Sequence, residues 1–224
     1  MSISLILLTI QNKDRFENTN QKFLDIYRIN PNPCTQQTKR CYYPYVKDKK
    51  ITSYLCCKNH LIELLLYLVK TFNKHKVTYF LDYGTLLGCI RNHSFIPWDT
   101  DIDISIITED IDSIVKIIKK NSKGYLLVKE ESNFYRLNYS KLNLLHVDIS
   151  VRKKDNKGNY YDKYRKYDWI INEKDLFPLK TSVFENIKVN IPKKSKKYLE
   201  EKVYGKDCIS NPETRGNNKD WERF

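Results

Sequence analysis

No stretch of this 224-residue chain is apolar over the roughly 20 residues that a membrane-spanning helix requires; the longest apolar-rich runs are Ile3–Ile10 and Leu61–Val69. The N-terminus lacks a basic n-region and a small-residue cleavage site, so no signal peptide is expected and a cytoplasmic location is. There is no internal repeat, no low-complexity tract and no recognised nucleic-acid-binding motif. The six cysteines (34, 41, 56, 57, 89 and 208) include no C-x-x-C pair and no zinc-ligand spacing. Cys56 and Cys57 are neighbours on a predicted helix and point about 100° apart, which suits neither a bridge nor a metal. Free thiols in a reducing compartment are expected, with a Cys34–Cys41 bridge as the alternative in a secreted protein.

Basic residues, by contrast, are in excess: the formal net charge is +13. Residues 1–50 carry 9 Lys/Arg against 4 Asp/Glu, residues 51–150 carry 12 against 11, and residues 151–224 carry 19 against 12. The excess therefore lies outside the middle of the chain, in scattered lysines. A solvated basic surface accounts for it, while attraction of an anionic donor, glycan or membrane surface is the functional alternative. A basic nucleic-acid-binding module without catalysis is a third reading, but it leaves the acidic residues described below unexplained.

Residues 1–50 read as an N-terminal arm with a polar amphipathic piece at Phe16–Ile29 and an Asn30-Pro31-Asn32-Pro33 break. From Thr52 to His75, apolar residues recur at three and four positions, predicting an amphipathic helix. Strands are expected at Val77–Asp82, Asp101–Ile107, Tyr125–Glu130, Phe134–Ser140 and Leu144–Val151, with helices at Thr85–Arg91, Asp110–Lys120 and Lys193–Tyr204. Arg152–Arg165 reads as polar with a turn. The fold class is mixed α/β (α+β): a small mixed β-sheet flanked by helices, occupying residues 51–224.

The acidic residues concentrate at Asp99-Thr-Asp101-Ile-Asp103-Ile, which follows Asp82-Tyr-Gly84-Thr85-Leu-Leu-Gly88-Cys-Ile-Arg91 by one loop. In a strand, alternate side chains share a face, so Asp99, Asp101 and Asp103 project together while Ile102 and Ile104 enter the core. Like charges at this spacing repel unless a cation lies between them, and hard oxygen ligands suit Mg2+ (or Mn2+). Asp148, in Leu144-Leu-His146-Val-Asp148-Ile-Ser-Val151, is placed to face the same side. A Gly-Thr turn ahead of the carboxylates leaves backbone N–H groups to hold a phosphate. The bland alternative is a solvated acidic edge.

Tyr-Gly84-Thr85-Leu-Leu-Gly88-x-x-Arg91 with Phe95-Ile-Pro-Trp-Asp99-x-Asp101-Ile-Asp103 resembles the LicD family of phosphorylcholine and fukutin-type ribitol-phosphate transferases. The resemblance continues through Phe177-Pro-Leu-Lys180, Phe184-Glu-Asn186, Ile191-Pro192, Tyr198-Leu199 and Tyr204-Gly-Lys-Asp207, covering residues 52–224. Thr100 stands where the family usually has Asp, and Asn186 where it has Gly. The resemblance implies a nucleotidyltransferase-like fold and transfer of a phospho-alcohol (phosphocholine or an alditol phosphate) from a CDP-linked donor to a glycan hydroxyl, releasing CMP. An ordinary nucleotidyltransferase that consumes an NTP and releases pyrophosphate is the enzymatic alternative. Asp101 and Asp103 are then the metal pair, and Asp148 a further ligand or the general base. Asp99 becomes an outer-shell or second-metal ligand. Gly84 and Thr85 would hold donor phosphates. Arg91 would clamp a phosphate oxygen or form a structural salt bridge. His146, two residues before Asp148 on the same face, is a neighbour of the site; Trp98 packs beneath the strand, with stacking on a nucleobase or choline as the alternative; and Arg136 is left facing either way.

Overall fold

The computed structural model describes residues 32–41, 54–96, 99–120, 122–162 and 169–210. The expected helix forms as α1 (Leu55–Lys74), its stripe of Cys57, Leu61, Leu64, Leu65, Leu68, Val69 and Phe72 buried in the core. It leads into β1 (Thr78–Leu81), α2 (Tyr83–Asn92), β2 (Ile102–Ile107), α3 (Ile111–Lys120), β3 (Leu126–Glu131), β4 (Phe134–Asn138) and β5 (His146–Lys154). The sheet runs β1-β2-β5-β4-β3, antiparallel except for the β2·β5 pair, which is parallel. A parallel pair needs a long crossover, supplied here by α3 and the β3–β4 hairpin. Mixed α/β architecture is thus as expected.

The polar segment after Val151 differs from expectation. β5 continues to Lys154, and the chain then returns as β6 (Asn159–Asp162) around a turn in which Asp155 Oδ1 accepts from Lys157 N and Asn159 N, each at 2.8 Å. β6 reads as part of a polar loop in the sequence because its four residues, Asn-Tyr-Tyr-Asp, directly follow the turn and form no apolar run. β7 (Ile171–Asn172) pairs with β6, and the short α4 (Glu173–Leu176) follows. A separate hairpin of β8 (Lys180–Phe184) and β9 (Ile187–Ile191), not anticipated from sequence, turns at Glu185 and Asn186, with φ of 47° and 62°. Two left-handed residues are what a two-residue hairpin loop demands, and Asn meets that demand where Gly is the usual choice. The last helix is shorter than expected: α5 (Ser195–Tyr198) runs into a π-helical turn, Leu199–Val203.

A buried ion pair fixes α2 against the sheet. Asp82 caps the helix, its Oδ1 accepting from Tyr83 N at 2.9 Å, and it is wholly buried. Arg152, 1% exposed on β5, donates to Asp82 Oδ2 at 2.5 Å, to the Tyr83 and Tyr198 hydroxyls at 2.9 Å each, and to Trp169 O at 2.7 Å. Ser105 and Tyr198 donate to the same carboxylate at 2.5 and 3.0 Å. A buried charge pair persists only when its remaining hydrogen-bonding capacity is met in this way.

Gly88 explains the second glycine of the motif. A Cβ there would lie 2.5 Å from Ser94 O and 3.2 Å from Ile96 N, so the 94–96 segment crosses directly over α2. That segment delivers the chain to Asp99. The arm does not stand apart over its described part: Cys34 and Cys41 are buried in the core cluster beside α1. Trp98 and the Phe16–Ile29 piece lie outside the described residues. Among the described residues no helix is long and apolar enough to cross a membrane.

Candidate active site

The register of the parallel pair builds the site. Asp103 lies opposite Asp148, and Ile102 opposite Val147, so the next step outward sets Asp101 beside His146. Alternation then puts Asp101, Asp103, His146 and Asp148 on one face while Ile102, Ile104, Val147 and Ile149 are buried on the other. Oxygen and nitrogen atoms of Asp101, His146 and Asp148 all lie within 4.8 Å of one another. His146 Nε2 is 3.7 Å from Asp101 Oδ2 and 3.6 Å from Asp148 Oδ1.

The three alternating carboxylates of β2 do not act as one row. The strand begins at Ile102, so Asp99 stands in the preceding turn, its N–H bonded to Ile96 O at 2.9 Å. Asp99 and Asp103 converge instead over Gly84, where a Cβ would sit 3.1 Å from Asp99 Oδ2 and 3.7 Å from Asp103 Oδ2. Asp101 leans toward β5. The carboxylates therefore form two lobes joined by the Asp103–Asp148 step.

Gly84 and Thr85 are not a free turn, as the sequence suggested, but the first turn of α2. Thr85 is 2% exposed, and its hydroxyl accepts from Asp103 N at 2.8 Å. The threonine thus holds the backbone of a carboxylate residue, a role the motif spacing did not reveal. Asp82 N, donating to Asp103 O at 3.1 Å, holds the same residue from its other side. What Gly84 contributes is space: the helix N-terminus, with its partial positive charge, approaches the two carboxylates without a side chain intervening.

Arg91 sits two turns further along α2 and donates through Nε and Nη2 to Cys208 O, the former at 2.8 Å. These bonds tether it to the C-terminal segment. Among the described residues, Arg136 brings a cation to the site, opposite Asp148 on β4. Its Nε and Nη2 grip Asp148 Oδ1 and Oδ2 at 2.8 and 3.1 Å. That fork raises the Arg136 pKa, burial opposing it and the charges of Asp148, Glu130 and Asp101 reinforcing it. Burial would lower the His146 pKa, but the bond to Asp101 and the charges of Asp148 and Asp101 outweigh it and raise the value. His146 Nδ1 lies 2.8 Å from Leu144 O, a contact that assigns the proton to Nδ1 and turns Nε2 toward the carboxylates.

The donor set fits a divalent cation. Hard carboxylate oxygens dominate it, one imidazole nitrogen accompanies them, and Asp101 keeps its side chain 36% exposed, which leaves room for water or substrate oxygen.

A family model described as LicD/FKTN/FKRP, nucleotidyltransferase domain, matches residues 76–194, which contain every residue of this site. The chain is 30% identical over 200 residues to the ribitol 5-phosphate transferase FKRP of Homo sapiens, covering 80% of this chain and 39% of that protein. It is 36% identical over 72 residues to the lipopolysaccharide cholinephosphotransferase LicD of Haemophilus influenzae, covering 31% of this chain and 26% of that one. The chain therefore spans well under half the length of these curated relatives. Among solved structures, the lincosamide antibiotic adenylyltransferase LnuA aligns over 58% of this chain and 78% of its own, at 17% identity and a TM-score of 0.41.

Proposed function

Because the chain belongs to the LicD/FKTN/FKRP nucleotidyltransferase family, we propose that it is a divalent-metal-dependent transferase that moves a phospho-alcohol group from a CDP-linked donor to a glycan hydroxyl, releasing CMP. The observation that carries this reading is the in-register pairing of Asp103 with Asp148, with Asp101 and His146 one step away on the same face. Asp101, Asp103 and Asp148 would hold the cation, with Asp99 beside Asp103 and His146 within reach. When bound, Mg2+ or Mn2+ neutralises the non-bridging oxygens of the phosphoryl group that is transferred.

The protein's own groups do the rest. Gly84 lets Asp99 and Asp103 approach the N-terminus of α2 closely, beside which a donor phosphate would bind through the cation. Thr85 and Asp82 fix Asp103 through its backbone N–H and C=O. Arg136 orients Asp148 through two hydrogen bonds. Both Asp148 oxygens are engaged by that fork, and Oδ1 also faces His146 Nε2 at 3.6 Å within the cluster that Asp101 completes, an arrangement that supports a ligand role for Asp148.

The test is to incubate the purified chain with CDP-ribitol, CDP-choline or NTPs, with Mg2+ or Mn2+, and a glycan acceptor. CMP release from a CDP-linked donor that stops when EDTA is added is expected. Pyrophosphate released from an NTP, without CMP, would replace this reading with that of a nucleotidyltransferase.

A further inference from the structure

Three of the five large apolar side chains exposed among the described residues stand at one end of the sheet: Leu126 (40% exposed), Leu142 (54%) and Leu144 (53%). Leu126 opens β3 opposite Asn138, the last residue of β4. Leu142 and Leu144 lie in the connection from β4 to His146, the first residue of β5. That connection inverts the usual order of burial, because Asn143 is wholly buried while the leucines on either side of it are exposed. We propose that this end of the sheet is a membrane-docking face, on which Leu126, Leu142 and Leu144 enter the headgroup region of an anionic bilayer.

The leucines of the connection are held outward by hydrogen bonds beneath them. Ser140 Oγ accepts from Leu142 N at 3.1 Å and from Asn143 N at 2.8 Å, and donates to Gln36 O at 2.7 Å. Asn143 Oδ1 accepts from Leu145 N at 3.2 Å, and its Nδ2 donates to Thr35 O at 3.0 Å. At the base, Tyr139 N donates to Leu145 O at 2.7 Å. A loop pinned through its own polar side chains does not fold its leucines back, so little ordering cost arises when they enter an apolar phase.

The charge around them has one sign. Gln36 also reaches the turn before β3, its Nε2 donating to Lys123 O at 3.3 Å, so residues 35–40, 119–125 and 140–145 form one rim. That rim carries Lys39, Arg40, Lys119, Lys120, Lys123 and Lys141, all exposed, and neither Asp nor Glu. Across residues 51–150 the charges nearly balance, at 12 basic against 11 acidic, so general basicity does not account for it. Leucines set among cations suit the surface of an anionic bilayer: each cation near the headgroups adds roughly fivefold to affinity, and the leucines gain by leaving water. A polyanion in water would engage the cations and leave the leucines without a partner. The docked face brings His146, two residues beyond Leu144, to the membrane surface along with the carboxylates. The inference does not depend on the proposed reaction.

Cosedimentation of the full chain with lipid vesicles tests this. Vesicles of phosphatidylcholine with about 30% phosphatidylserine should carry the chain down, and vesicles of phosphatidylcholine alone about tenfold less. The double variant Leu142→Ser/Leu144→Ser should weaken binding to the anionic vesicles by about tenfold or more, with Tm unchanged because both side chains are exposed. Lys141→Glu should weaken it by about tenfold. Val183→Ser/Lys188→Gln, which alters an exposed apolar and basic pair on the β8–β9 hairpin, should leave it unchanged. Since a variant can fail to fold, hydrogen exchange of the wild-type chain provides a second measurement: amides of residues 123–126 and 140–145 should exchange more slowly when anionic vesicles are added. Absence of binding to anionic vesicles, or binding that the leucine variant leaves intact, would overturn the proposal. So would equally tight binding to heparin that is indifferent to the leucines, which would make the rim a polyanion site.

Discussion

Asp148 carries the sharpest consequence at the scale of single residues. Its two oxygens are shared between Arg136 and the face that His146 and Asp101 complete. Asp148→Asn keeps size and shape but leaves the guanidinium without its anion. Under the ligand reading, affinity for Mn2+, measured by calorimetry, should fall at least tenfold together with turnover. Under a general-base reading, ion affinity should hold while kcat alone falls by roughly 10²–10⁴-fold. Turnover and ion affinity both equal to wild type would place Asp148 outside the site. The alternation of Asp101 and Asp103, and of His146 and Asp148, was readable from sequence, because period two is a local property of a strand. The Arg136–Asp148 fork and the Asp82–Arg152 pair were not. Each joins residues on different elements, and no local pattern distinguishes Arg136 or Arg152 from the surrounding lysines. The signal available was position: Asp82 stands where a strand gives way to a helix, the place of a capping residue.

At the scale of elements, the β8–β9 hairpin acts on the segment that delivers Asp99. Glu185 Oε1 accepts from Phe95 N at 3.0 Å, receives Lys58 Nζ at 3.0 Å and is bonded by the Ser94 hydroxyl. Burial alone would raise the Glu185 pKa, but the bonds from Ser94, Lys58 and Phe95 lower it below the ordinary 4.5. A depressed folded-state value contributes stability above the unfolded-state pKa and loses it as pH falls through the folded one. Glu185→Gln should therefore lower the stability by about 1–2 kcal/mol at pH 7, the worth of a charge-assisted bond. The gap to wild type should close as pH drops below 4.5, which denaturant titrations across pH would trace. A gap that is independent of pH would mean that shape, not charge, makes the contact. The same segment sets the fate of Gly88→Ala. Its methyl group meets backbone, not a flexible side chain, so overpacking should cost about 1–3 kcal/mol. Calorimetric Tm and divalent-ion affinity should fall together, because the displaced residues lead to Asp99.

At the scale of the whole molecule, Cys34 and Cys41, within the segment read from sequence as an arm, belong to the core cluster. The packing of residues 34–41 on α1 was not legible in the sequence, since it depends on sulfurs brought together from separate segments. Removal of residues 1–31 should leave Tm near that of the full chain. Removal of residues 1–45 takes away Cys34 and Cys41 along with the contacts to Asn143 and Ser140, and should lower Tm by several degrees. Equal Tm values for the two truncations would show that the segment is a passenger. Against the excess of lysine, which first invited a nucleic-acid reading, the described residues bring a bidentate arginine, Arg136, to the carboxylate face.

The order of strands also has a kinetic meaning. β4 and β5 are neighbours in sequence and close as a hairpin, which brings Arg136 onto Asp148 early and locally. β2 must then dock in parallel from much further up the chain, carrying Asp103 against a carboxylate whose charge has already been offset. Without that offset, two anions would meet as the two strands pair. Refolding of Arg136→Gln should therefore be slower than wild type in dilute buffer and recover as added salt screens the repulsion. The arginine that orients the site in the native state would be, on the way there, the residue that lets the sheet close.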